Sequence, residues 1–203
     1  MLFQGRHSKT ASDKLMNDTP DIALWEALKQ GDKESLGQLF RKYYEPLFRY
    51  GSKLTTHEVL LEDCIQELFT ELWLSKSNPE IRSVKAYLFK SLKYKLFRVL
   101  QKPANRPASE STELLFELSH ADFLVSQEEQ NEKSVRVMDA LDKLSSRQKE
   151  IIYLKYYQEL SYEEVTEIMN INYQVARNLL YQSIKSLREM LASFSPLFLL
   201  MMH

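Results

Sequence analysis

An all-α fold, two small helical domains joined by a flexible linker, is what this sequence predicts, and three observations carry the prediction. Apolar residues recur at steps of three and four in one segment after another, the spacing that lines one face of a helix. Only four Gly and six Pro occur in 203 residues, among many Leu, Lys, Glu and Tyr, so helix breakers are scarce and helix formers common. From Glu110 to Glu132 there are seven acids and no Lys or Arg, with Ser, Thr and Gln frequent. A biased polar stretch between two periodic regions reads as a connector between modules. The expected division is an N-terminal domain at 20–103, an acidic linker at 104–132, a C-terminal domain at 133–193 and an apolar tail at 194–203.

The bulk numbers bound the function. Lys plus Arg (27) nearly balances Asp plus Glu (28), so global attraction to nucleic acid is weak. Any such binding must rest on local patches, or on a larger partner. Cys64 is the single cysteine; it falls on a helix's apolar face as a buried thiol and cannot form an internal disulfide, which fits a reducing compartment. No apolar run reaches the ~20 residues that span a bilayer, and no secretory signal opens the chain, so a cytoplasmic location without membrane insertion is expected. His7, His57, His120 and His203 are scattered, and no H-E-x-x-H or C-x-x-C occurs. Four isolated glycines make no phosphate-cradling loop. No catalytic residue, metal or cofactor is expected.

Taken in order, Leu2-Phe3-Gln4-Gly5 looks like a viral protease site, so residues 1–15 are expected to be a tag remnant with Met16 as the native start. Asp21 to Gln30 reads as a short helix with Ile22, Trp25 and Leu28 inward, closed by Gly31. Asp32 can cap the next helix, whose apolar face runs Leu36, Leu39, Phe40, Tyr43, Leu47, Tyr50 and Leu54. Pro46 lies within it and should bend or break it. Leu61, Cys64, Ile65, Leu68, Phe69, Leu72 and Trp73 then follow the i, i+3, i+4, i+7 rule. The opposite side holds Glu58, Glu62, Asp63, Gln66, Glu67 and Glu71, with no Lys or Arg from Leu54 to Ser75. That acidic side is either a solvated face or a docking surface for a basic partner.

After a loop from Ser75 to Arg82 the sign reverses. From Ile81 to Ser109 there is no acid, while Arg82, Lys85, Lys90, Lys93, Lys95, Arg98, Lys102 and Arg106 give eight positive charges. Val84, Leu88, Leu92, Leu96 and Val99 form the packing stripe, with Tyr87, Phe89, Tyr94 and Phe97 between the cations. Cations track phosphates and rings stack unpaired bases, so this composition suits an opened strand, though at least half of the rings are expected in the core. Pro103 and Pro107 end the helix, and helical periodicity resumes near Lys133 with Val137, Leu141 and Leu144 inward.

Leu144 to Leu191 reads as three helices, the last two joined by a very short turn. Ser145 with Gln148, and Ser161 with Glu164, have capping-box spacing. Tyr162, Val165, Ile168 and Met169 share one face. Asn170 suits a left-handed C-cap, Ile171 can plug the turn, and Asn172 can cap the third helix. In that helix Ala176, Leu180, Ile184, Leu187 and Leu191 face a core, with Val175 and Leu179 beside them. The other side carries Tyr173, Gln174, Arg177, Asn178, Tyr181, Gln182, Lys185 and Arg188, and no acid interrupts Ile171 to Arg188. Asn, Gln and Arg make bidentate bonds to base edges, and a helix fits the major groove; the alternative is an amphipathic helix whose polar face meets water.

Three ordered blocks resemble one family, the bacterial sigma factors of the extracytoplasmic-function group within the sigma-70 family. Leu61-Glu62-Asp63-Cys64-Ile65-Gln66-Glu67-Leu68-Phe69, continuing to Leu72-Trp73, is similar to that group's D-x-x-Q-E-x-F-x-x-x-W helix. Ala86-Tyr87-Leu88-Phe89-Lys90 resembles its A-[WY]-L-[FY]-[RK] segment, and Leu144 to Leu191 resembles its C-terminal helix-turn-helix, Leu160-Ser161-Tyr162-Glu163-Glu164 included. The resemblance spans roughly Asp21 to Leu191. It implies a sigma-2-like bundle and a sigma-4-like helix-turn-helix domain, with no enzymatic activity.

The implied partners are core RNA polymerase, promoter DNA and an anti-sigma protein. Glu62, Asp63, Gln66 and Glu67 would dock on the clamp helices of the largest polymerase subunit, and another subunit would contact the C-terminal domain. Lys76, Asn78, Arg82, Lys85, Lys90, Lys93, Tyr94 and Arg98 would read and hold the melted −10 element. Tyr173, Gln174, Arg177, Asn178, Tyr181, Gln182 and Lys185 would meet the −35 element, and the linker would pass toward the catalytic cleft. The chain departs from the pattern where Tyr94 and Arg98 align with a frequent Asn and Asp, where Leu179 and Gln182 align with frequent Arg, and where Asn170 stands for the turn's glycine. Phosphate anchoring at the −35 element is then either weaker or carried by Lys185 and Arg188. A stand-alone helix-turn-helix regulator would account for the C-terminal region but not for the acidic and basic helices before it.

Overall fold

The computed structural model describes residues 20–75, 79–101, 115–118 and 132–192. Among these there are eight α-helices and no strand. The N-terminal domain holds α1 (Asp21–Lys29), α2 (Lys33–Gly51), α3 (Glu58–Leu74) and α4 (Val84–Leu100). The C-terminal domain holds α5 (Glu132–Asp142), α6 (Ser146–Ile152), α7 (Tyr162–Met169) and α8 (Tyr173–Ala192). A π-helical turn, Tyr153–Tyr157, continues α6. The expected tag remnant (1–15), the apolar tail, and Lys76 and Asn78 lie outside the described residues.

Local chemistry sets most helix ends. Asp32 accepts from the backbone amides of Glu34 and Ser35 at the start of α2, satisfying amides that no helical carbonyl reaches. Gly31 before it has φ +86°, a conformation that favours glycine. Ser145 with Gln148 and Ser161 with Glu164 both form complete capping boxes. Asn170 ends α7 at φ 50°, ψ 52°, and Asn172 Oδ1 accepts from the Val175 amide at 2.8 Å to start α8. The turn of the helix-turn-helix is thus built by two asparagines.

Each domain closes over one side of its helices. Trp25, Leu39, Leu47, Leu61, Ile65 and Leu92 are all fully buried in the first, while Ile151, Leu154, Val165 and Ala176 centre the second. Gly51, at the end of α2, lets α3 approach: a Cβ there would stand 2.2 Å from Leu61 Cδ1. Gly51→Ala gains helix propensity, ~1 kcal/mol, but must displace a wholly buried leucine. Overpacking of that kind costs ~1–3 kcal/mol, so a net loss of stability is expected, read as a lower urea midpoint. An unchanged midpoint would mean that Leu61 gives way freely.

Four expectations need correction. Ile22 is 40% exposed and Leu24 is buried instead, because the inward arc of α1 is Leu24, Trp25 and Leu28, one step round from the expected set. Trp73 is also 40% exposed, lying in the last turn of α3 beside the Leu61–Ile65–Leu68–Leu72 stripe. Val175 is 43% exposed: successive residues turn by about 100°, and the buried line of α8 runs through Ala176, Leu180 and Ser183. Finally, of the bend or break expected at Pro46, the break does not occur, for α2 is continuous there. Buried Tyr43, Leu47 and Tyr50 on both sides pin it to the core, and packing outweighs the ~3 kcal/mol that an interior proline costs.

The two domains pack on one another. α4 lies against α7, the first helix of the helix-turn-helix. Ser83 Oγ donates to Glu164 Oε1 at 2.6 Å, and Lys85 Nζ donates to the Gln158 carbonyl at 2.6 Å. Burial alone would raise the Glu164 pKa, but bonds from Ser83 and Ser161 and the charge of Lys85 outweigh it and hold the carboxylate below its ordinary range. This contact is therefore fully present above the ordinary carboxylate range and fades as pH falls through the lowered value.

Candidate nucleic-acid and polymerase interfaces

The polar side of α8 stands clear of both cores. Gln174, Arg177, Asn178, Gln182 and Lys185 are exposed, Tyr173 is half-exposed and Tyr181 is 70% exposed. Gln174 Nε2 donates to Asn178 Oδ1 at 2.9 Å, which aligns two amide side chains one turn apart on the outer face. Lys185 makes only a 3.8 Å approach to Glu189, weak for a surface pair. Tyr173 at the start of the helix packs on Tyr162 with ring centroids 5.5 Å apart, and Lys155 Nζ lies 4.5 Å over the Tyr162 ring. These contacts fix α8 against α7.

The basic helix α4 divides its cations among an exposed edge, the C-terminal domain and, for Lys95, the acids of α3. Lys90, Tyr94 and Arg98 repeat at every fourth residue along an exposed edge, and the Arg98 guanidinium lies 5.7 Å from the Tyr94 ring centre. Arg82, just ahead of the helix, is also exposed. Lys85 and Lys93 turn instead toward the C-terminal domain. Lys93 Nζ reaches both carboxylate oxygens of Glu150, at 2.6 and 2.9 Å. Of the four rings on this helix, Phe89 is buried, Tyr87 and Phe97 are half-buried, and Tyr94 is out. A cavity of about 680 Å³ opens between α4 and the α6–α7 corner, with Tyr87, Lys90, Tyr94 and Phe97 on one wall and Arg147 and Ile168 on the other.

The acidic side of α3 is exposed along its length. Glu62, Asp63, Gln66 and Glu67 all face solvent, and Asp63, Gln66 and Glu67 line a shallow depression of about 330 Å³ with Thr70 and Glu71. Lys95 of α4 lies at its edge, 2.6 Å from Glu71 and 3.6 Å from Glu67. Only one end of the acidic strip is thereby neutralised. Among the described residues no group of His, Cys, Asp or Glu is placed to hold a metal ion, and no helix is long and apolar enough to cross a membrane.

Sequence reasoning missed the junction between the domains. Tyr50, wholly buried, donates its hydroxyl to Glu150 Oε1 at 2.6 Å. Burial, reinforced by the Glu150 charge, pushes the Tyr50 phenol far above its ordinary range, so it stays a donor. Glu150 itself is 5% exposed. Leu114, Leu115, Phe116 and Leu118, four apolar residues within an acidic connector, were the available signal for the same junction.

Comparisons with known proteins agree with this geometry. Residues 134–187 match the family model for sigma-70, region 4, the stretch that contains α6, α7 and most of α8. Over 67 residues, 33% of this chain, it is 34% identical to RNA polymerase sigma factor SigV of Bacillus subtilis (strain 168). That match spans 40% of the relative's length. The fold is similar to that of a chain in a structure of CnrH in complex with the cytosolic domain of CnrY. The TM-score is 0.58 at 20% identity, over 86% of this chain and 99% of that one. The C-terminal helix-turn-helix region is thus matched by sequence to sigma-70 region 4, and the whole arrangement of helices is matched by fold.

Proposed function

We propose that this chain is a sigma factor that binds core RNA polymerase and directs it to promoters by contacting the −10 and −35 elements. The observation that carries the reading is the outer face of α8: exposed, free of acids from Ile171 to Arg188, and held by two capped helices across an asparagine turn. Arg177, Gln174 and Asn178 supply base-edge donors there, and Lys185 and Arg188 supply phosphate contacts. The exposed edge of α4, with Lys90, Tyr94 and Arg98, suits an opened strand, and Arg82 with Lys76 and Asn78 belongs to the same −10 surface. Lys85 and Lys93 join it once they part from the C-terminal domain. Glu62, Asp63, Gln66 and Glu67 on α3 are the polymerase-docking set. With charges almost balanced overall, recruitment by polymerase supplies the promoter affinity that the chain alone lacks.

CnrH has been solved with the cytosolic domain of CnrY, and a protein of that kind is the proposed restraint on this chain. The direct test is run-off transcription with core polymerase on the source organism's promoter DNA, with start sites mapped. Start sites that require this chain are the expected result; binding to promoter DNA without any stable holoenzyme would favour the stand-alone regulator. Within the same reading, Arg177→Ala is expected to weaken −35 duplex binding by ~1–3 kcal/mol and to relax preference at one base pair. Equal losses on every duplex would make Arg177 a phosphate contact instead.

A further inference from the structure

Residues 115–118 of the connector are gripped by both domains. Phe116 is 1% exposed, with ring centroids 5.8 Å from Tyr50 of α2 and 5.4 Å from Tyr153 beyond α6. Its amide donates to Ser146 Oγ at 2.5 Å, and the next amide, of Glu117, donates to the Lys53 carbonyl at 2.8 Å. The Glu117 carboxylate accepts from Lys149 Nζ at 2.5 Å, and Leu118 is buried at 6% exposure. Two residues, Phe116 and Glu117, thus bond to Lys53 just past α2 on one side and to Ser146 and Lys149 of α6 on the other, while Leu115 is half-exposed. Directly beside them sits the Tyr50–Glu150–Lys93 cluster.

We propose that residues 115–118 are an internal plug that holds the free chain closed, and that Phe116 must leave its seat before both DNA-contacting helices can be used together. Phe116 shares a ring wall with each domain, so its departure removes apolar contact from both at once. Closure also consumes function, because Lys93 and Lys85 are bonded to Glu150 and Gln158 while the domains touch. Parting the domains also takes Tyr50 and Lys93 away from Glu150, whose side chain is 6% exposed while they touch, so that cluster holds the closed form beside the plug. A partner that takes the connector therefore opens the molecule through a residue it grips, with no need to contact the DNA helices. The DNA-contacting roles of the two helices and the naming of core polymerase as that partner rest on the proposed function; the plug itself does not.

The full chain alone tests the first part. Hydrogen exchange is expected to show protected amides at Phe116 and Glu117, and small-angle scattering a compact particle. Phe116→Ala is expected to abolish that protection and enlarge the radius of gyration while helical circular dichroism is retained. Glu117→Gln, which removes one ion pair without opening a cavity, should give a smaller change in the same direction and covers the case in which the alanine variant misfolds. Unprotected amides in the unaltered chain, or identical scattering from folded variants, overturns the plug. In the second part, Phe116→Ala is expected to bind core polymerase several-fold faster than the unaltered chain; equal rates overturn the coupling. If neither chain binds core polymerase, the sigma-factor reading fails while the exchange and scattering results still decide the plug.

Discussion

Replacing Asp63 and Glu67 together with Lys is expected to abolish binding to core RNA polymerase while leaving the melting curve almost unmoved. The two effects separate because α3 is cleanly two-sided. Leu61, Cys64, Ile65 and Leu68 are buried, whereas Asp63 and Glu67 are exposed one turn apart. The nearest cation is Lys95, 3.6 Å from Glu67 and better placed on Glu71 at 2.6 Å. A lysine at 67 adds a like charge there, but exposed pairs are worth about 0–1 kcal/mol, too little to unfold the domain. At a docking surface the sums differ. Like charges brought face to face across an interface cost several kcal/mol, and each 1.4 kcal/mol is tenfold in affinity, so a loss of roughly a thousandfold or more is expected. Competition against the unaltered chain for limiting core enzyme measures it. A folded double variant that competes equally sinks the docking assignment, and the exposed acids are then merely a solvated face.

What the sequence disclosed and what it hid divide by distance along the chain. Ser145, Ser161, Asn170 and Asn172 could be read correctly because a cap involves a residue and its neighbours within one turn. The packing stripes of α3 and α4 were legible for the same reason, since a 3.6-residue period is local. Errors of face, at Ile22, Trp73 and Val175, arose at helix ends, where the expected arc is wider than the buried line actually is. The junction was not legible at all. Tyr50 and Glu150 are a hundred residues apart, and nothing near either one announces the other. Glu150 lies among Ile151, Ile152 and Tyr153, all buried, and an acid in that setting requires a partner; the sequence does not say that the partners are a phenol and a lysine in the other domain. For the candidate DNA surface the consequence is specific. Counting cations from Ile81 to Ser109 treated Lys85 and Lys93 like Lys90 and Arg98, and only the fold separates the pair turned inward from the pair turned out.

Trp25→Ala is expected to cost ~3–5 kcal/mol, the usual range for emptying an aromatic site, against a total of about 5–15 for a domain. Trp25 has no exposed surface, and it meets Tyr87 of α4 edge-on with centroids 5.0 Å apart. It also does something that a core filler does not: its indole N–H donates to the carbonyl of Pro79 at 3.1 Å. Pro79 stands in sequence directly after Asn78, one of the proposed −10 contacts, and this bond ties the chain ahead of α4 to the first helix. Trp25→Phe separates the two roles. It keeps most of the apolar volume and removes the N–H, leaving a part-buried carbonyl unpaired at ~1–3 kcal/mol. With both proteins folded at the assay temperature, the Phe variant is expected to transcribe poorly from duplex promoters and to recover on templates already melted at the −10 element. A looser approach to α4 at Pro79 hampers capture of the opening strand more than its retention. Should the Phe variant initiate as well as the unaltered chain on duplex DNA, Trp25 only fills the core, and its bond to Pro79 carries no part of strand capture.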